Sequence, residues 1–475
     1  MEDREKRRKR RERLRIKRQR QVRQRKIMLA EAAVLFVLLM ICFGISVHQR
    51  GEERKKSAAK KTLVKEALQE CYKSALKAGK KEQADFAGWI VENYPKETEG
   101  PLYDKAEVGQ ITEEDIYHVF GETLHVLLDR KAGYLKDDKT KKKHQIYERT
   151  GKAEDEAEIL IAGDLCFAEE GFVLDYYDEV GEISKCISPE LLDMMNKTDL
   201  FYLNHEYCVS DRGEPLNGKL YTFRADPKRM KLLNEMGTGL VSLANNHVYD
   251  FGEDAMLDTM DYLKEEGIPY VGGGRNKKEA KRPVYFIING IKIGFVAASN
   301  AEITLYTPAA EKDSPGILEA YDTEEYNQVI EDAAKECDYL IAYIHWGNED
   351  TNQYTSTQTE QGTEFLDSGA DIVVGGHPHV LQGIEFVDGR PVIYSMGDFW
   401  FNNETKYTGL LKLSVAYEGL KEMSFVPCLQ TEYTTQYLKE AEKQREMFDF
   451  LENLSPNAVI DDKGVITENF EAEVQ

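Results

Sequence analysis

Seven cysteines in 475 residues are too few for a fold built on disulfides, so the core has to come from ordinary hydrophobic burial. Four closely spaced Cys and His residues, the mark of structural zinc, are also missing. A mean hydropathy of -0.54 excludes a multi-span membrane protein, and a hydrophobic content of 41% excludes disorder throughout. Positive charge is in deficit, with 62 Lys and Arg against 85 Asp and Glu, a formal net charge of -23. The deficit is uneven. Residues 1–26 carry 15 basic and 4 acidic residues, about +11, whereas everything after Lys81 carries 36 basic and 76 acidic, about -40. Length alone suggests about three structural units.

One long apolar run exists, Ile27 to Val47, broken only by Glu31. As a helix it rises about 31 Å, enough to cross a hydrocarbon core of roughly 30 Å. A cleaved signal peptide has a shorter apolar region and a small-residue cleavage site, and this run ends in Val47-His48-Gln49-Arg50 without one. Within twenty residues of the run there are 13 Lys and Arg on the N-terminal side and 7 on the C-terminal side. That asymmetry predicts a single-pass anchor in the cell membrane, with a cytoplasmic N-terminus and an extracellular body. Placed directly before an apolar span, the basic head reads as an inside-retained tail touching anionic lipid rather than a nucleic-acid site.

Residues 48–157 are highly charged. Pieces such as 58–76 space their apolar residues by three and four, which predicts a helical stalk or small subdomain. From about Glu158 short buried-strand runs recur, among them EILIAGDLCF, DLFYLNHEY, TGLVSLANNH, DYLIAYIHWG and ADIVVGGHPHV. Helical stretches over 227–236 and 253–266 lie between them, so the expected class is α/β. VYFIINGIKIGFVAAS turns at Asn289-Gly290, a hairpin signal, so the sheets should be mixed. The expected organisation is a tail over 1–26, an anchor over 27–47, the stalk over 48–157, a domain over 158–430 and a charged extension over 431–475. That extension should hold a helix and a small hairpin.

The chemistry sits where the strands end. Asp164 follows ILIAG, Glu206 follows FYLNH, Asn245-Asn246-His247 follow LVSLA, His345 follows LIAYI, and His377-Pro378-His379 follow IVVGG. Loops at the C-terminal ends of strands line the ligand crevice of α/β sheets. Carboxylate, amide and imidazole donors gathered there could surround one or two cations: Mn, Mg, Zn or Fe. Taken singly, each residue also has an ordinary reading as turn former, cap or core histidine.

The series GDLCF, NHE, FRADP, SLANNHVYDFG, HWGNE, GHPHVLQGIE and YSMGDF resembles the motifs of the CapA family, including its PgsA members, over about Glu158 to Asn403. That family belongs to poly-γ-glutamate capsule biosynthesis and is related to calcineurin-like metallophosphoesterases. The resemblance implies a four-layer αββα sandwich and a metal site with Asp164, Glu206, Asn246, His345, His377 and His379 as ligands, Glu206 bridging two ions. It implies that His247 protonates a leaving group with Asp250 orienting its ring, and that Arg224 clamps an anionic substrate. Three positions depart from the pattern. Cys166 stands where Asp-x-His has histidine, His205 stands where an apolar residue is expected, and Asp398 stands where asparagine is usual. Two functions follow as expectations: a metal-dependent hydrolase or transferase working on an envelope polymer or its precursor, or a non-catalytic component of a polymer synthesis and export complex. A basic patch of Arg224, Lys228, Arg229 and Lys231 is the candidate handle for an anionic polymer.

Overall fold

The computed structural model describes residues 141–469 except 143, 154–155, 170–172, 290, 302–305 and 417–418. The basic tail, the apolar run 27–47 and nearly all of the expected stalk lie outside those residues. Among the described residues no helix is long and apolar enough to cross a membrane.

Among the described residues fifteen strands build two large sheets. They are β1 (Ile146–Arg149), β2 (Ala157–Leu165), β3 (Leu200–His205), β4 (Thr238–Ser242), β5 (Tyr270–Val271), β6 (Val284–Ile288), β7 (Ile291–Ser299), β8 (Tyr339–His345), β9 (Ile372–Gly376), β10 (Ile384–Val387), β11 (Arg390–Ile393), β12 (Asp398–Trp400), β13 (Lys406–Ala416), β14 (Gly419–Thr431) and β15 (Thr434–Tyr437). The first sheet runs β1-β6-β7-β8-β9-β11-β10. The second runs β15-β14-β13-β2-β3-β4-β5, with β12 beside β2. Each has a parallel block, β7-β8-β9-β11 in one and β2-β3-β4-β5 in the other, flanked by antiparallel strands. The class is the mixed α/β one expected.

The period of two along each strand explains the layering. Ile159, Ile161, Leu200, Tyr202 and Leu240 of the second sheet share one buried cluster with Phe286, Ile293, Phe295, Ile341 and Tyr343 of the first, so these faces pack on each other. The alternate residues point outward under helices. Leu160, Phe201 and Val241 meet α1 (Pro189–Lys197) and α2 (Gly252–Glu265) through Leu191, Met256 and Met260. On the other side Val296, Leu340 and Val373 meet α3 (Glu324–Ala334) and α4 (Ser356–Asp367) through Tyr326, Ile330 and Phe365. Strands buried on both faces read as continuous apolar runs, which is why they stand out in the sequence.

The hairpin at Asn289 forms as expected, with Ile288 opposite Ile291 and Asn289 at φ 50°. The region after 430 is more tightly built in than a charged extension would be. β14 runs through the expected boundary to Thr431, and α5 (Ala441–Leu454) places Met447, Phe448 and Leu451 in the cluster between the sheets. The short strands Ala458–Ile460 and Ile466–Glu468 then pair as the small hairpin.

Candidate metal centre

Both parallel blocks end at the same rim. β2 and β3 deliver Asp164 and Glu206, and the loop after β4 delivers Asn245, Asn246 and His247. From the first sheet β8 delivers His345, and the turn after β9 delivers His377 and His379. All of these are buried except His379, which is nearly so. The turn is strained: His377 has φ 93° and His379 φ 57°, a conformation that costs a β-carbon-bearing residue and persists where the surroundings enforce it. Gly376 just before it has to be glycine, because a Cβ there would fall 2.1 Å from the Tyr343 hydroxyl and 2.7 Å from Asp164 Oδ1.

Asn204 ties the carboxylates together. Its amide nitrogen lies 2.8 Å from Asp164 Oδ1 and 3.1 Å from Glu206 Oε2, and its carbonyl oxygen accepts from Asn245 Nδ2 at 3.0 Å. The His377 backbone N–H donates to Asp164 Oδ2 at 3.0 Å. These bonds leave Glu206 Oε1 without a hydrogen-bond partner, although it is fully buried. Two imidazole nitrogens face that oxygen, His345 Nε2 at 3.5 Å and His379 Nε2 at 3.9 Å. Asn246 Oδ1 is 2.9 Å from His345 Nε2, while Asn246 Nδ2 and His377 Nδ1 are buried with no partner.

Among the described residues three groups of possible ligands have donor atoms within 4.8 Å of one another: Glu206–His345–His377, Asp164–Glu206–His379 and Glu349–His377–His379. The first two share Glu206. Five of the six expected ligands fall into these groups, and Asn246 lies beside His345. Glu349, half exposed at the mouth, is an addition that the strand-end pattern did not single out.

The electrostatics fit a cation. Burial, with the charge of Asp398, pushes the Asp164 carboxyl up to about 6, and burial with the charge of Asp164 pushes Glu206 well above the usual carboxylate range. Burial and neighbouring imidazoles push His345 and His377 well below the usual histidine range. Burial would also lower His379, but Asp398, Glu206 and Asp164 outweigh it and raise the ring to about 10. Orphaned donors converging on desolvated carboxylates are what a divalent ion satisfies.

A model of the bacterial capsule synthesis protein PGA_cap family matches residues 158–403, just over half of the chain. The chain belongs to that family. The PGA biosynthesis protein CapA of Bacillus subtilis is 32% identical over 211 residues, covering 43% of this chain and 54% of that protein. The capsule biosynthesis protein CapA of Bacillus anthracis is 32% identical over 209 residues, covering 43% and 50%. The chain thus spans about half the length of these curated relatives. Haemophilus influenzae NAD nucleotidase aligns with a TM-score of 0.36 and 15% identity, over 67% of this chain and 65% of that one.

Within the PGA_cap domain the other expected residues divide. His247 Nδ1 lies 2.7 Å from Asp250 Oδ2, and the ring packs on Phe223 at 4.2 Å. Asp250 is held in turn by the Phe223 backbone N–H at 2.7 Å and by buried Lys219 at 2.8 Å, a lysine that sequence reading missed. Arg224 lies 4.0 Å over the Phe251 ring and donates Nη1 to the carbonyls of Arg212 and Gly213. The basic patch does not form as expected. Arg229 is buried and forked onto Glu169 and Asp178, and Lys228 pairs with Asp226 at 3.1 Å. Cys166 lies in the outer apolar cluster, where burial pushes its thiol well up, and all five described cysteines are free. His205 packs on Tyr207 and belongs to none of the three ligand groups.

Proposed function

We propose that this chain is a membrane-anchored metal-dependent hydrolase or transferase acting on a capsule or cell-envelope polymer of poly-γ-glutamate type, or on its precursor. The observation that carries the cation centre is Glu206 Oε1, a buried oxygen with no hydrogen-bond partner and two imidazole Nε2 atoms facing it. Asp164, Glu206, Asn246, His345, His377 and His379 would hold one or two divalent ions of metallophosphoesterase type. When bound, such an ion supplies Lewis acidity to a phosphoryl or acyl oxygen. The rest of the chemistry falls to side chains. Asp250 holds His247 Nδ1, which leaves Nε2 to pass a proton to a departing group, and Lys219 with the Phe223 N–H keeps Asp250 in place. Arg224 is the proposed contact for an anionic group, its plane braced on Phe251. The PGA_cap match and the two Bacillus relatives, a PGA biosynthesis protein and a capsule biosynthesis protein, support the polymer role. The apolar run 27–47 and its charge asymmetry support a single-pass anchor that leaves the body outside the cell.

A second reading, a non-catalytic component of a polymer synthesis and export complex, is favoured by Cys166. Where Asp-x-His would offer a further nitrogen donor, this chain has a thiol packed among apolar side chains. Metal analysis of the full chain purified in detergent, together with turnover of generic phosphoesters, separates the two. Bound divalent metal with turnover that His247→Ala abolishes supports the enzyme. Metal with no turnover supports the binding module, and no metal removes the cation centre.

A further inference from the structure

Asp398 opens β12, which lies parallel to β2 with Asp398 opposite Asp164. The placement is enforced from the backbone, because Asp164 N–H donates to Gly397 O at 2.9 Å. A Cβ on Gly163 would fall 1.8 Å from that same carbonyl. The carboxylate is buried, and both of its oxygens are engaged within the protein. Oδ1 lies 2.8 Å from His379 Nδ1, whereas Oδ2 lies 3.5 Å from Asn402 Nδ2 and 3.6 Å from Lys406 Nζ. Asp398 belongs to none of the three ligand groups. It meets His379 at Nδ1, whereas Glu206 Oε1 lies 3.9 Å from Nε2.

We propose that Asp398 is a positioning residue of the cation centre. By accepting the Nδ1–H of His379 it fixes that ring's rotation and keeps Nδ1 protonated, so that Nε2, which faces Glu206 Oε1, is the nitrogen that would give up its proton to an ion. The inference rests on the cation reading and adds to it a residue that acts only through His379. The ring has reason to need such a hold. It projects from a residue at φ 57°, and Asp164 Oδ2, at 3.8 Å from the same Nδ1, is too far to accept a hydrogen bond, so Asp398 at 2.8 Å is the acceptor that holds it. The separation of His379 Nε2 from Glu206 Oε1, 3.9 Å, is short enough for one ion to touch both, since bonds of about 2.0–2.2 Å span up to roughly 4.3 Å. Histidine ligands commonly donate their second N–H to a carboxylate, and losing that partner typically costs about 10–100-fold in metal affinity. Lys406 ties the far oxygen of Asp398 to the rim, where it also meets Glu404 at 2.5 Å.

The test is cobalt(II) binding to the metal-stripped full chain in detergent, read as affinity and as the visible ligand-field spectrum, for wild type, Asp398→Ala, Asp398→Asn and His379→Ala. Asp398→Ala should weaken binding about 10–100-fold and alter the spectrum. Asp398→Asn, whose side-chain carbonyl still accepts Nδ1–H, should restore most of the affinity and the wild-type spectrum. His379→Ala should lose more than Asp398→Ala. Circular dichroism of each variant separates misfolding from lost positioning, and recovery in Asp398→Asn cannot come from a fold that has collapsed. Wild-type affinity and spectrum in Asp398→Ala would overturn the inference. So would a loss in Asp398→Asn as deep as in Asp398→Ala, which would mean that the charge acts directly. A wild-type chain that binds no cobalt would remove the cation reading and this inference with it.

Discussion

Replacing His205 with leucine changes how stability responds to acid by an amount that follows from burial. The ring is fully buried, packed on Tyr207 with centroids 3.8 Å apart, and neither nitrogen has a hydrogen-bond partner. Burial pushes its pKa down from 6.5 to about 3. The folded state therefore keeps His205 neutral between pH 6.5 and 3, while the unfolded chain takes up a proton there. A depressed basic group of this kind leaves stability intact above pH 6.5 and erodes it as pH falls. At pH 5.5, one unit below the ordinary pKa, the unfolded state gains about 1.4 kcal/mol, and at pH 7.5 under about 0.1 kcal/mol. Leucine has no proton to take up and is close to histidine in volume. Urea unfolding of both chains, with chelator present, can be followed by the emission of Trp346 and Trp400, which are both buried. Between pH 7.5 and 5.5 the wild type should lose about 1.4 kcal/mol more than His205→Leu, roughly 0.5 M in urea midpoint at an m-value of about 3 kcal/mol/M. Groups untouched by the substitution cancel in the comparison. Equal responses to pH would show that His205 carries its proton in the fold or reaches water, and the account of that site would fail.

Three further outcomes are expected. Glu206→Ala and Asp164→Ala should each lower the bound divalent metal measured by elemental analysis, whereas His247→Ala should keep the metal and lose about 10²–10⁴-fold in turnover. Gly376→Ala should destabilise the domain by about 1–3 kcal/mol through overpacking against Tyr343 and Asp164, and adding Tyr343→Phe should return part of the loss in thermal unfolding. Protease applied to intact cells after wall removal should digest the body and leave a small N-terminal fragment, since positive flanking charge favours a cytoplasmic tail; a protected body would reverse the proposed orientation.

Which parts of this site could be read from the sequence depends on where each residue stands relative to a parallel strand. Asp164, Glu206, Asn246, His345 and His377 each follow a continuous apolar run, and such runs mark strands buried on both faces, whose ends gather at one rim. Asn204 was hidden because it lies inside such a run, in FYLNH, yet it bonds to both carboxylates. Lys219 and Glu349 sit in loops with no periodicity, so only the folded chain brings one to Asp250 and the other to His377. The contact of Asp398 with His379 depends on β12 lying beside β2, and so on a parallel pairing between residues 234 positions apart. Charge counts misled for a related reason. Arg229 adds to a basic patch in the sequence, but in the fold its guanidinium is already forked onto two carboxylates.

The two sheets contribute chemically different halves of the centre. The second supplies Asp164, Glu206 and Asn246, and the first supplies His345, His377 and His379, so an ion held between them would bridge the seam of the inter-sheet core. Binding would then stabilise the fold by linkage, by about 2.7 kcal/mol at a hundred times the dissociation constant, whether or not any reaction follows. Retained ligands by themselves therefore do not separate a catalyst from a binding module. The loop after β4 does bear on that choice. It aims a buried carboxylate, Asp250, at His247 and holds it with a buried lysine and a backbone N–H. Burying charged groups is costly unless they are paired and hydrogen-bonded, and His247, unlike His379, belongs to none of the three ligand groups, so a site that only bound an ion would gain nothing from fixing that ring against a carboxylate. Proton transfer needs that arrangement, because it fixes which ring nitrogen is left to exchange the proton.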